Sequence, residues 1–194
     1  MLWKTLLDYS GASLSFLATI AFIRASVAAW PLSLLACSIN LILYFRVGIY
    51  ADTALEIFFF FSTFYGWYQW LRGSVLRSQL AITSLSFPTM LRLFVMALLG
   101  IAIIYFLLSN YTDSRIPFWD ASTAVLCVIA QWLTCKKIMQ NWILWFLVDS
   151  IYAGIYLYKG IPVHALLQGI YLVMAVVGYY NWRKICATNI LLNC

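Results

Sequence analysis

The sequence predicts an all-α polytopic membrane protein, with seven transmembrane helices ordered as three, one and three and the two triplets related as parallel repeats. Three observations predict it. Of 194 residues, 65% are hydrophobic and 9% charged, and the mean hydropathy is +0.92, which is far more apolar than a soluble domain. Apolar stretches of about 20 residues recur along the chain, the length a helix needs to cross hydrocarbon with its backbone polar groups satisfied internally. The sequence also matches itself at an offset of 112 residues.

The expected spans are 10 to 29, 31 to 46, 50 to 71, 90 to 109, 120 to 135, 141 to 158 and 162 to 182. The first follows Lys4 and ends on "ASVAA", which imitates a signal peptide until Arg24 interrupts the pattern. The second and sixth are short. The third lies in "GIYADTALEIFFFFSTFYGWYQW", where Glu56 precedes four phenylalanines and Trp67 and Trp70 close the run. The fourth, "LRLFVMALLGIAIIYFLLSN", stands alone between the triplets. Connections of a few residues leave no room for a soluble domain. The expected division is therefore 1–72 (first bundle), 73–119 (linker with the fourth helix), 120–184 (second bundle) and 185–194 (cytoplasmic tail).

The repeat aligns 8–72 with 120–184 without a gap, and 17 of 65 positions are identical. Leucine pairs arise easily in such a composition; Trp30 with Trp142, Trp70 with Trp182, Gly66 with Gly178 and Asp8 with Asp120 do not. A unit of three spans is odd, so a second unit following directly would enter the membrane inverted. The single helix between them restores the direction, and a transporter built this way places its site near the midplane between the halves.

Twelve Lys and Arg against six Asp and Glu give a net charge of +6, which could suggest nucleic acid, but its distribution is a topology signal. Alternating ends and loops puts Arg24, Arg72, Arg77, Arg92, Lys136, Lys137, Arg183 and Lys184 on one side, and Lys4, Arg46, Arg115 and Lys159 on the other. That asymmetry sets the amino terminus outside and the carboxyl terminus in the cytoplasm. Membrane lipids, and not nucleic acid, are the expected surroundings. The five cysteines show no C-x-x-C spacing and read as small apolar packing residues.

Inside the spans the charged residues away from helix ends are Glu56 and Asp149. A carboxylate in hydrocarbon costs several kcal/mol, so each should face the bundle interior, where it either fixes packing or handles a ligand or ion. Trp142, Trp145, Asp149, Tyr152 and Tyr156 recur at three- and four-residue steps and so share one helix face. Glu56, Thr63, Trp67 and Trp70 form a similar stripe; Asn40 and Tyr44, Gln131, and Gln168, Tyr171 and Trp182 add polar and aromatic groups from other spans. Trp30, Trp70 and Trp182, near helix ends, suit the interfacial belt; Trp145 lies deeper and suits a pocket. Aromatic faces beside a carboxylate fit a flat, cationic, partly polar ligand, and sugars also stack on indoles. The chain has no G-x-x-x-x-G-K-[ST] loop, G-x-S-x-G elbow or H-E-x-x-H helix, and a lone His164 reads as structural. No enzyme activity, cofactor or metal is expected, and facilitated diffusion or ion-coupled transport remains.

"YADTALEIFFFFSTFYGWYQW", "IPFWDAS" and "NWILWFLVDSIYAGIYLYKGI" together resemble the PnuC family of bacterial vitamin-precursor transporters, from about residue 10 to 184. The resemblance implies a relative of the SWEET fold working as an inner-membrane uniporter for nicotinamide riboside, or in other branches thiamine or riboflavin. It further implies trapping of the product by a cytoplasmic kinase, and it allows a homotrimer. Trp142 and Trp145 match the family's W-x-x-W. At Asp149 and Glu56 the nicotinamide riboside branch would be expected to carry amides, so a second cationic vitamin, thiamine, stays open beside it. A proton-coupled transporter, an intramembrane enzyme acting on lipid and a structural or receptor protein are the other classes.

Overall fold

The computed structural model describes residues 2–47, 50–75, 81–158, 160 and 162–192. Gly48, Ile49, Arg77, Lys159 and Ile161, used in the repeat alignment or the charge count, lie outside them. Seven helices follow in order: α1 (Leu2–Ile23), α2 (Ala29–Val47), α3 (Tyr50–Val75), α4 (Phe87–Tyr111), α5 (Pro117–Cys135), α6 (Asn141–Tyr158) and α7 (Pro162–Leu192). The seven-helix fold is the one expected. The first helix, however, stops at Ile23 and not at residue 29. Ala25 takes a left-handed φ of +52°, and Ser26 N–H donates back to the Ala21 carbonyl at 3.0 Å, the wrap-around bond that closes a helix C-terminus.

The second triplet repeats that turn 112 residues on. Lys137 has the same φ of +52°, and Ile138 N–H donates to the Leu133 carbonyl at 2.9 Å. The next helix starts alike in both, Trp30 N–H donating to the Val27 carbonyl at 3.2 Å and Trp142 N–H to the Met139 carbonyl at 3.3 Å. Ser38 and Ser150, also repeat partners, donate to the carbonyls of Leu34 and Phe146 four residues back. The repeat in the sequence is thus a repeat of backbone geometry.

Two compact units divide the structure, and each has its own core. The first comprises 1–81, 135–137 and 184–194; the second comprises 82–134 and 138–183. In the first, α1 packs on α2 and α2 on α3, around Trp30 and Trp70, which are 0% and 1% exposed. Their rings meet edge to face at 5.2 Å, and a Cβ on Gly66 would collide with the Trp30 ring. In the second, Trp142 and Trp182 meet edge to face at 5.6 Å, and a Cβ on Gly178 would stand 2.6 Å from the Trp142 ring. Trp30, Trp70 and Trp182 are therefore core residues, not members of an interfacial belt: glycine on the third helix lets the indole of the second approach its backbone closely. Both triplets leave the second-helix indole N–H, of Trp30 and of Trp142, buried without an acceptor among the described residues.

Among the described residues, Leu6–Ile23, Ala29–Val47, Phe87–Tyr111 and Pro117–Cys135 are long and apolar enough to cross a membrane by length and composition alone. Helices α3 and α6 fall short of that mark because Glu56, Asp149 and several Trp and Tyr dilute them. α4 is the opposite case: most large side chains on it are exposed, Ala97 being its buried residue, as suits a helix facing lipid. It touches α5 where Gly100 meets Val125.

The turn between α5 and α6 is anchored on α3. Cys135 Sγ donates to the Ser62 carbonyl at 3.4 Å, and Lys136 Nζ donates to the Tyr65 hydroxyl at 2.5 Å. Lys137 Nζ lies 4.3 Å from the Trp70 ring centroid, and burial holds its ammonium pKa below the ordinary lysine range. On the other side of the same turn, Met139 N–H donates to the Thr83 carbonyl at 2.8 Å and Leu85 N–H to Gln140 Oε1 at 3.0 Å. The segment before α4 is thereby pinned to the second unit.

Candidate functional site

Each unit carries polar and aromatic groups on its second and third helices. On α6, Val148 and Ile155 are buried to one side and Trp142 to the other, at 1%, 9% and 4% exposure. Between them run Trp145, Asp149, Tyr152 and Tyr156, all half-buried. A stripe flanked on both sides by buried positions faces protein and not lipid, which is where an intramembrane carboxylate belongs.

Trp145 is fixed from α5. Its indole Nε1 donates to Thr134 Oγ1 at 3.3 Å, and that hydroxyl donates in turn to the Ala130 carbonyl at 2.9 Å. Gln131, next to it in sequence, is buried. From α7, Tyr171 is a neighbour of Asp149. Gln168, one turn away, keeps Oε1 buried with no donor among the described residues, an acceptor that a ligand hydroxyl or amide can satisfy. An oriented indole, a carboxylate, an amide acceptor and tyrosines thus gather within one unit. Such a set can stack a flat ring, attract a cation and accept hydrogen bonds.

The first unit holds a second polar group built on the equivalent faces. Asn40 Nδ2 donates to Glu56 Oε1 at 3.3 Å, and the Asn40 amide is wedged against Gly11 of α1, where no Cβ fits. Cys37 lies in hydrogen-bonding reach of Glu56, with Ser33 and Thr63 beside it; Thr63 is fully buried. Tyr44 and Trp67 are half-buried on the same faces. By repeat position Cys37 corresponds to Asp149, Asn40 to Tyr152 and Glu56 to Gln168.

The sequence-derived candidates thus fall into two sets: Asn40, Tyr44, Glu56 and Trp67 in the first unit, and Gln131, Trp142, Trp145, Asp149, Tyr152 and Gln168 in the second. Trp142 differs from the rest in that its ring is spent on Gly178 and Trp182. Sequence reasoning missed Gly11, Cys37 and Thr134. The signal for Cys37 was available, because the repeat register sets it opposite Asp149; Gly11 and Thr134 carry none, being ordinary residues in an apolar helix.

A mostly apolar groove of about 260 Å³ also opens against α6 and α7, between Ile143, Phe146, Val176 and Tyr180, with Trp142 in its wall. It contains none of the polar candidates.

A family model described as nicotinamide mononucleotide transporter matches residues 5–184. A nicotinamide riboside transporter PnuC of Escherichia coli K12 is 26% identical over 169 residues, covering 73% of this chain and 70% of the relative. One from Haemophilus influenzae is 32% identical over 66 residues, or 34% of this chain and 28% of the relative. In fold, the chain is similar to the crystal structure of a vitamin B3 transporter PnuC, with a TM-score of 0.78 and 20% identity, over 95% of this chain and 83% of that one.

Proposed function

The chain belongs to the nicotinamide mononucleotide transporter family, and from that premise we propose that it imports nicotinamide riboside by facilitated diffusion, as a uniporter with alternating access. One observation carries the reading: Asp149 sits on the protein-facing stripe of α6 between Trp145, which Thr134 holds in place, and Tyr152. Nicotinamide riboside joins a flat pyridinium to a polar sugar. The indole stacks the ring, Asp149 balances its charge, and Gln168 and Gln131 serve the hydroxyls and the amide. Trp142 acts behind them by holding α6 on α7. Asn40, Glu56, Tyr44 and Trp67 form the first unit's own polar and aromatic set.

Alternating access needs the two triplets to move as bodies while each keeps its core. The tryptophan and glycine keys supply that internal rigidity. The excess of basic residues in one set of loops supports an amino terminus outside and a carboxyl terminus in the cytoplasm of a bacterial inner membrane. Net accumulation then depends on a cytoplasmic kinase that adds phosphate to the product, because a uniporter only equilibrates its substrate. Subunits in the membrane can associate as a homotrimer. No catalytic step is assigned to the chain.

Thiamine is the second reading, and the two acids favour it: an aminopyrimidine pairs with a carboxylate through two hydrogen bonds, and the thiazolium is cationic. Calorimetric titration of the purified protein with nicotinamide riboside, thiamine and riboflavin decides between them. Nicotinamide riboside should bind most tightly, and Asp149→Ala should abolish most of that binding while Tyr158→Ala, on an exposed position, leaves it intact. Tighter binding of thiamine would replace the substrate; equal effects of the two substitutions would remove the site.

A further inference from the structure

Beyond Tyr152 the stripe of α6 continues into two rings, Tyr156 and His164, that the transport reading does not use. Tyr152 and Tyr156 lie near-parallel, 20° apart with centroids at 6.1 Å. His164, in the first turn of α7, continues the series at 5.3 Å and 49° from Tyr156. Accessibility falls inward along it: His164 is exposed, whereas Tyr156, Tyr152 and Asp149 are half-buried. Asp149 to Tyr156 spans two helical turns, roughly 10 Å at 1.5 Å per residue. In the first unit Asn40 stands where Tyr152 would be.

We propose that Tyr152, Tyr156 and His164 form an outer subsite that captures a planar cationic ring and passes it to Asp149. The proposal rests on the reading of Asp149 as the substrate carboxylate. Tyrosine faces carry negative quadrupoles that attract a pyridinium without holding it as an acid does, so the subsite binds weakly and shortens the search for the inner position. Successive ring centroids lie 6.1 and 5.3 Å apart, so the ligand exchanges one aromatic face for another without being fully rehydrated. Removing one ring should then change the rates of arrival and departure together and leave the inner equilibrium alone.

The test is stopped-flow quenching of intrinsic tryptophan fluorescence by nicotinamide riboside on the purified full chain, paired with calorimetry. Tyr156→Ala and His164→Ala should each slow association about fivefold, the scale of one lost aromatic contact, with Kd kept within about twofold by an equal slowing of dissociation. Tyr156→Phe, which keeps the face, should match the parent; an unchanged Kd also certifies that the variants are folded. Association unchanged in both alanine variants overturns the subsite alone, as does a Kd that weakens with association intact, since that would place the rings in the inner site. If the parent protein gives no saturable response, the transport reading fails first and the subsite with it.

Discussion

In the first triplet Trp30 lies against Gly66 and Trp70; in the second Trp142 lies against Gly178 and Trp182. Around these matching cores the polar residues part company: Cys37, Asn40 and Glu56 of one stand where the other has Asp149, Tyr152 and Gln168. The repeat has preserved the residues that set helix spacing and released those that meet the interior. Packing of an indole on glycine tolerates almost no change in volume, whereas an inward polar position accepts any side chain whose hydrogen bonds are met. The comparison therefore separates scaffold from chemistry within one chain.

The sharpest way to break it is to delete the shared core. Trp30→Ala and Trp142→Ala should each cost about 3–5 kcal/mol, the range for emptying a buried aromatic site, read as a large fall in unfolding temperature in detergent. One triplet tolerating the loss would end the structural equivalence. Next come the diverged acids. Asp149→Asn should weaken nicotinamide riboside binding roughly tenfold or more, on the scale of a lost charged interaction, while its counterpart Cys37→Ala should leave binding within about twofold; calorimetry distinguishes them, and comparable losses would make the two units alike in chemistry as well as frame. A smaller effect is expected of Thr134→Val, which frees the Trp145 indole: about 0.5–1.5 kcal/mol, appearing as a several-fold rise in Kd with the unfolding temperature little changed. The smallest contrast lies in the two turns. Ala25→Gly removes the strain of a left-handed alanine and should stabilise by about 1 kcal/mol; Lys137→Gly removes the same strain but also the ammonium over Trp70, worth a similar amount, and should gain nothing. Equal shifts in unfolding temperature would deny the lysine its role.

Much of this frame was legible in the residues themselves. Two tryptophan pairs and a glycine pair in one gapless register announced that the triplets are built alike, and the register extends even to the turn bonds at Ser26 and Ile138. The chemistry of Trp30, Trp70 and Trp182 was misread because a tryptophan near a helix end resembles an anchor at the headgroups. What distinguishes the two cases is a glycine on a neighbouring helix, and Gly66 and Gly178 were in plain view without a stated partner. Asp149 and Glu56 stood out because charge is rare in such a chain. Cys37, Gly11 and Thr134 did not, since cysteine, glycine and threonine are ordinary within membrane helices and only three-dimensional neighbours give them a task. The end of the first helix at Ile23 escaped detection for a related reason: Ala25 carries no sequence mark of the left-handed backbone it adopts.

The placement of the glycine key on the third helix has a consequence for biogenesis. As the chain emerges from the ribosome, Trp30 enters the bilayer before either Gly66 or Trp70 has been synthesised, so a pair of helices must wait with an unfilled indole face. Arrival of the third helix closes that face in one step, and the same sequence of waiting and closure recurs 112 residues later. Each triplet thus offers quality-control machinery a natural moment of inspection, and chains truncated after the second or the sixth helix should be cleared far faster than those that reach the third or the seventh.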